Sequence, residues 1–385
     1  MPTRQVYLDY HATTPVDPRV LEVMLPYFTQ EFGNPASASH AFGWKAQEAV
    51  ETARRRVAAL IGASAREIVF TSGATESNNW AIKGVAAAAP ASRRHVVCSA
   101  IEHKSVLEAC KSLEASGWTL TIVPVDRDGR VDLDALTGVV TEQTALVSVM
   151  AANNEIGVVQ PLAEIVAIAH AKGALVHSDA AQAVGKILLD VQAIGIDLLS
   201  LTAHKMYGPK GCGALFIRKK TNLAPFIIGG GQERGFRSGT LNVPGIVGLG
   251  HACHLDRLEM AEECARLRAL RDRLLDGLTT QVGGVRVNGT MAARLPHNLH
   301  VAFEDVDGES LIIGIGDIAV SSGSACSSAS ATPSHVLRAL YGDGPVPAAT
   351  VRFGLGRFTT DADIDYAIEK FAAVVKRLRD TAPVR

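Results

Sequence analysis

Between about residues 45 and 250, short apolar runs alternate with longer stretches whose apolar positions recur at helical spacing. The runs Glu67–Thr71, His95–Ser99, Thr119–Val123, Ala145–Met150, Ala174–Ser178, Asp197–Leu201 and Gly213–Ile217 read as strands. The intervening segments Trp44–Ile61, Ser77–Ala89, Lys104–Ser116 and Pro161–Lys172 read as helices. Strands apolar at nearly every position are buried on both faces, so the pattern predicts a mostly parallel, seven-stranded sheet covered by helices on both sides. Ligands of such α/β sheets bind beyond the carboxyl ends of the strands. The segments Ser72–Thr75, Glu102–His103, Asn153–Asn154, Asp179 and Thr202–Lys205 each follow a strand and carry the polar chemistry.

From Leu255 to about Thr280 a charged amphipathic helix follows, with Arg257, Glu259, Glu262, Glu263, Arg266 and Arg268, read as a solvated face. The 385 residues are too many for one core, so two domains are expected. These are a large domain of residues 15–255 and a smaller α+β domain of residues 1–14 and 256–385. A net charge of -1 without basic blocks argues against direct nucleic-acid or membrane partners. No apolar stretch approaches the ~20 residues of a membrane span, and the polar start Met1–Asp9 lacks a signal-peptide pattern. Six scattered cysteines, with no CxxC pair or Cys/His cluster, argue against a zinc site or disulfide framework and for a reducing cytoplasm.

Two residues carry the chemistry furthest. Cys326 lies among serines, alanines and Gly323, a small-residue run that suggests a solvated loop rather than the apolar wall of a structural thiol. Lys205 follows a buried strand, where a desolvated amine can attack a carbonyl, as Schiff-base formation with pyridoxal 5'-phosphate requires. Asp179, directly after a strand, is placed to face a protonated pyridine nitrogen, though it could instead cap the next helix. Ser72–Ser77, between strand and helix, offers backbone N–H groups and the Thr75 hydroxyl to a phosphate. His103 could lie on the pyridine ring and exchange protons, or simply cap the helix beginning near Lys104.

With these residues in place, the chain resembles cysteine desulfurases of the NifS/IscS type, in the class V aminotransferase group of fold-type I pyridoxal phosphate enzymes. The resemblance rests on Tyr7-Leu-Asp-Tyr10, Ala12-Thr-Thr-Pro15, Phe32–Ser37, Phe70–Ser77, Glu102-His-Lys104 and Asn153–Gly157. It continues through Ala203-His-Lys205, Arg237-Ser-Gly-Thr240, Ser321–Cys326 and Arg352–Arg357. It implies that Lys205 holds the cofactor, Asp179 pairs with its ring nitrogen and His103 stacks on it. Asn154 and Gln182 would bond the ring substituents, Gln182 the phenolic oxygen. Ala74, Thr75, Thr202 and His204 would line the phosphate pocket, with Thr240 reaching it from the other subunit of a homodimer. Asn34 and Arg352 would hold the carboxylate of L-cysteine, Arg352 by a two-pronged contact. The Cys326 thiolate would take the sulfur as a persulfide, leaving L-alanine, and pass it to an iron–sulfur scaffold or another acceptor protein serving iron–sulfur cluster assembly or tRNA or cofactor thiolation. No stable metal is implied, Cys326 serving at most as a transient cluster ligand with a scaffold partner.

Three positions depart from the family pattern: Ala151 before the Asn-Asn pair, Ile228 ahead of the triple glycine, and His11 at a variable position near the substrate. The C-terminal Arg379–Arg385 is read as lacking an extended scaffold-docking tail, and the Ser-rich segment as a long sulfur-carrying loop. The same fold also serves selenocysteine lyases, kynureninase-like hydrolases and class V aminotransferases; the last have no need of Cys326.

Overall fold

The computed structural model describes residues 4–322 and 334–381, so Cys326 and most of its Ser-rich run lie outside the described residues. A seven-stranded sheet forms the centre. Its strands are β1 (Ile68–Thr71), β2 (His95–Ser99), β3 (Thr119–Val123), β4 (Thr144–Ser148), β5 (Leu175–Asp179), β6 (Leu198–Thr202) and β7 (Gly213–Ile217). They lie in the order β1-β7-β6-β5-β4-β2-β3, and only β7 runs against the others. Strands β1, β4, β6 and β7 are buried at every residue, as their unbroken apolar character predicts. Chain order reverses between β2 and β4, and a reversal of this kind opens a crevice at the carboxyl edge.

The helices flanking this sheet include α1 (Ala41–Leu60), α2 (Ala74–Ala88), α3 (Lys104–Ser112) and α4 (Leu162–Ala171). A long helix, α5 (Val243–Gln281), follows β7. It begins well before the Leu255 start that charge patterning suggests. Gly245, Gly248 and Gly250 weaken its first turns as a helical signal, yet they serve packing: a Cβ on Gly250 would come within 2.5 Å of Ala53 on α1.

Beyond α5, β8 (Val285–Val287), β9 (Asn298–Phe303), β10 (Ser321–Ser322) and β11 (Ala349–Gly354) form an antiparallel sheet in the order β10-β11-β9-β8. With α6 (Asp361–Thr381), the C-terminal part of α5 and the N-terminal Val6 and Leu8, this sheet encloses an apolar cluster separate from that of the large sheet.

The charged face of α5 is exposed at Arg257, Glu262, Arg266 and Arg268, as read, but Glu263 and the neighbouring Asp256 are drawn into an ion cluster. Arg357 ties Asp17 (2.7 Å), Asp256 (2.9 Å) and Glu263 (2.7 Å) together, and Lys186 also reaches Glu263 (3.4 Å). Arg266 donates to the carbonyls of Gly356, Arg357 and Thr359. These partners come from distant parts of the chain, so helical charge spacing alone does not reveal them.

Candidate active site

A cavity of about 680 Å³ opens at the carboxyl edge of the large sheet. Its wall includes Ala74, Thr75, His103, Asn154, Asp179, Gln182, Thr202, His204, Lys205 and Arg352. Strand geometry explains the convergence: β1, β2, β4, β5 and β6 all end at this edge.

Asp179, the last residue of β5, is buried and oriented from two sides. Asn78 Nδ2 donates to its Oδ2 (2.7 Å), and the backbone N–H of Ala181 donates to Oδ1 (2.9 Å). Asn78 Nδ2 also donates to Ser105 Oγ (2.8 Å). Ser105 in turn meets His103: its backbone N–H donates to Nδ1 (3.2 Å), and its Oγ lies 2.8 Å from the same nitrogen. His103 therefore caps α3 and lines the cavity at once, so the two alternatives for this residue are compatible. With Nδ1 accepting, the ring proton is on Nε2.

Lys205 ends a short turn, Ala203–Lys205, that follows β6. Its amine donates to the carbonyls of Ala12 (2.6 Å) and His11. At the other end of the cavity α2 starts from Gly73, which has no side chain to cap it. The first-turn N–H groups of Ala74 and Thr75 are thus uncapped by any side chain at the cavity wall, a setting that favours an anion. Glu76, one residue on, is occupied by Arg237 (2.8 Å) and by the Ser72 N–H (2.8 Å). Burial and the nearby Lys205 and Lys210 push His204 down to about 4, so its imidazole is neutral near pH 7. Thr202, also on the wall, is buried at the end of β6.

Arg352, on β11, projects into the same space from the smaller sheet. Its Nη2 donates to Asp9 (2.8 Å) and Ser321 (2.9 Å), and its Nη1 to the Asn154 carbonyl (2.9 Å), while buried Nε has no partner among the described residues. The two-pronged contact expected with a substrate carboxylate therefore competes with Asp9 for this fork.

Two expected residues are not brought to this cavity within one chain. Asn34 lines a separate hollow beside Arg54 and Glu233, and Thr240 is exposed. Conversely, sequence reasoning missed Asn78, a polar side chain one turn into α2, and Ser105, the second residue of α3. Asn153, read with Asn154, is structural: its Oδ1 accepts the N–H groups of Glu155 and Ile156, and its Nδ2 donates to the Ile101 carbonyl.

Fold and site together define an α/β enzyme with a lysine and a buried carboxylate at neighbouring strand ends. The chain belongs to the aminotransferase class-V family, whose pattern matches residues 6–367. It is 55% identical over 381 residues to the cysteine desulfurase IscS of Anaeromyxobacter sp. (strain K), covering 98% of this chain and 94% of that one. Among solved structures it resembles a NifS-like protein, with TM-score 0.91 and 40% identity over 97% of this chain and 100% of the other. It also resembles SspA in complex with cysteine, with TM-score 0.81 and 36% identity over 92% of this chain and 100% of the other. Among the described residues, no helix is long and apolar enough to cross a membrane.

Proposed function

We propose that this protein is a cysteine desulfurase: it takes sulfur from L-cysteine, releases L-alanine and holds the sulfur as a persulfide on Cys326. The observation that carries the reading is the convergence of Lys205, Asp179, His103 and Arg352 on one cavity. Full-length similarity to proteins named as desulfurases supports it.

The residues present fit pyridoxal phosphate. The uncapped start of α2 suits its phosphate, the Asp179 carboxyl suits a protonated ring nitrogen, and Lys205, just after β6, lines the same cavity. Asn154, Gln182, Thr202 and His204 complete the pocket from one chain. When bound, the cofactor supplies an electron sink for bond breaking at the substrate's α-carbon. Lys205 is the residue to hold the cofactor and move the α-proton, and His103 presents its Nε2 proton to the cavity. Arg352 orients the substrate carboxylate. In sulfur transfer the Cys326 thiolate bonds to the substrate sulfur as the carbon–sulfur bond breaks; the carbon keeps that electron pair, takes up a proton, and leaves as alanine. A thiol or an acceptor protein, such as an iron–sulfur scaffold, then removes the sulfur.

We further propose a homodimer of two-domain subunits, divided at residue 255, with Thr240 reaching the partner's cavity. The separate apolar clusters support the division, and the exposed side chains of Phe28, Phe32, Phe42, Trp44 and Ile228 support the association.

The test is reconstitution with pyridoxal phosphate followed by assay of alanine and sulfide from L-cysteine with a thiol reductant. Lys205→Ala is expected to abolish turnover and the visible absorbance. Cys326→Ala is expected to keep the absorbance and lose sulfide release. Full desulfurase turnover by Cys326→Ala would overturn the proposal.

A further inference from the structure

His11, read from sequence only as a variable position, is fully buried against the cavity and has both ring nitrogens engaged. Each contact has only one possible polarity, because the ends of the chain of bonds are groups that only donate or only accept. At one end Arg294 Nη1 donates to Asn298 Oδ1 (2.8 Å), and a guanidinium has no acceptor. Asn298 Nδ2 therefore faces the other way, and it donates to the Glu155 carbonyl (3.0 Å) as well, which fixes the same orientation independently. That nitrogen lies 3.0 Å from His11 Nε2, so Nε2 is the acceptor and the ring proton is on Nδ1.

His11 Nδ1 lies 2.9 Å from Gln182 Oε1 and donates to it. Gln182 Nε2 donates one hydrogen back to the His11 carbonyl (3.1 Å), an obligate acceptor, so the far end agrees with the near one. The other hydrogen of that amide belongs to a side chain on the cavity wall and is available to a ligand there.

We propose that Arg294, Asn298 and His11 form a positioning relay that fixes the Gln182 amide with an N–H toward the cavity, as a donor to an anionic ring oxygen of the cofactor. This rests on the pyridoxal phosphate reading. The surrounding structure suits it: burial and the nearby Arg352 hold the His11 imidazole well below its usual titration range, so it does not charge and reverse the relay. His297 lies tilted against its ring, with centroids 4.4 Å apart. Gly157, with φ +68, leaves room for Asn298; a Cβ there would come within 2.2 Å of the Asn298 carboxamide carbon. The relay also links the smaller sheet, through β9, to the cavity of the larger one.

The test is nitrogen NMR of the unloaded, ¹⁵N-histidine-labelled protein near neutral pH, with the His11 signals assigned by their loss in His11→Gln. The expected result is a proton on Nδ1 and a bare Nε2. A proton on Nε2, or on both nitrogens, would overturn the relay. Asn298→Asp keeps an acceptor for Arg294 but removes the donor to His11, so its ring proton is expected to move to Nε2. Its affinity for pyridoxal phosphate is expected to fall roughly two- to tenfold, the size of one net hydrogen bond. Unchanged affinity with the proton moved would show that the Gln182 donor does not serve the cofactor. If that variant does not fold, the wild-type nitrogen shifts still decide the relay. A wild-type chain that fails to bind pyridoxal phosphate would overturn the functional reading instead, with the relay still judged by the unloaded protein.

Discussion

Arg352 faces two carboxylates, that of Asp9 and that of the proposed substrate. Asp9 and Ser321 both take Nη2, the Asn154 carbonyl takes Nη1 and Nε is buried, so an incoming carboxylate competes with these contacts for the fork. A residue kept only for its pairing with Asp9 and a residue that binds substrate predict different kinetics. Arg352→Lys keeps the charge but loses the planar geometry. If Arg352 binds the substrate carboxylate, kcat/KM for L-cysteine should fall roughly tenfold to a hundredfold, the size of a lost charge-assisted contact, mostly through KM. Steady-state kinetics with the circular dichroism spectrum as a folding control decide it. An unchanged KM would leave Arg352 as Asp9's structural partner alone.

Elements bring distant charges together, and the joint between α5, the N-terminal segment and the Arg357 loop is the clearest case. Arg357 is the shared cation of Asp17, Asp256 and Glu263, and its guanidinium stacks 4.3 Å from the centre of the Tyr207 ring. Removing it leaves three largely buried carboxylates short of a partner, and breaking a buried pair typically costs about 3–5 kcal/mol. Arg357→Gln should therefore lower the urea midpoint sharply at pH 8. Asp17 keeps Arg19 and Glu263 keeps Lys186, but without Arg357 burial raises Asp256, already raised to about 6, further above its unfolded value. The folded variant then holds protons that the unfolded chain releases, so its deficit should narrow as pH falls toward 5.5. A deficit that stays constant or grows on acidification would argue against this account. None of this joint was legible in sequence, because helical spacing shows charges on one face and not what meets them. The strands were legible, since burial on both faces leaves an unbroken apolar run, and Lys205, Asp179 and His103 were legible as residues directly after strands. Asn78, Ser105 and the His11 relay were not, because their meaning lies in hydrogen-bond partners supplied by tertiary packing.

Across the whole molecule, buried titratable groups set opposing pH dependences whose signs can be worked out. Burial holds His177 down at about 4, His204 at about 4 and His300 at about 3, and pushes His11 and His297 well below their usual range. His177 bridges Ser148 of β4 (2.8 Å) and Ser200 of β6 (3.0 Å), so charging it would bury an uncompensated cation at the centre of the sheet. For these imidazoles the stability is complete above the unfolded value of about 6.5 and is lost as pH falls toward 4, because the unfolded chain binds protons that the fold refuses. Glu102 acts in the other direction. Burial raises it to about 8, with Oε1 bonded to Ser99 and the Met150 N–H and Oε2 without a partner among the described residues. Its folded state keeps a proton, so its contribution falls as pH rises from about 4.5 to 8. Below 6.5 the histidines outnumber Glu102 and Asp256, and acidification should destabilise the protein. The unfolded histidines finish losing their protons between about pH 6.5 and 7.5, and above that Glu102 dominates among these groups, with a slope of at most about 1.4 kcal/mol per pH unit. The urea midpoint should therefore peak between about pH 7 and 7.5 and decline on both sides. In Glu102→Gln the alkaline decline should flatten and the rise on the acid side should steepen, because Glu102 opposes the histidines there; a wild-type midpoint that keeps rising from about pH 7.5 to 8 would contradict the assignment of Glu102 as a protonated, buried acid.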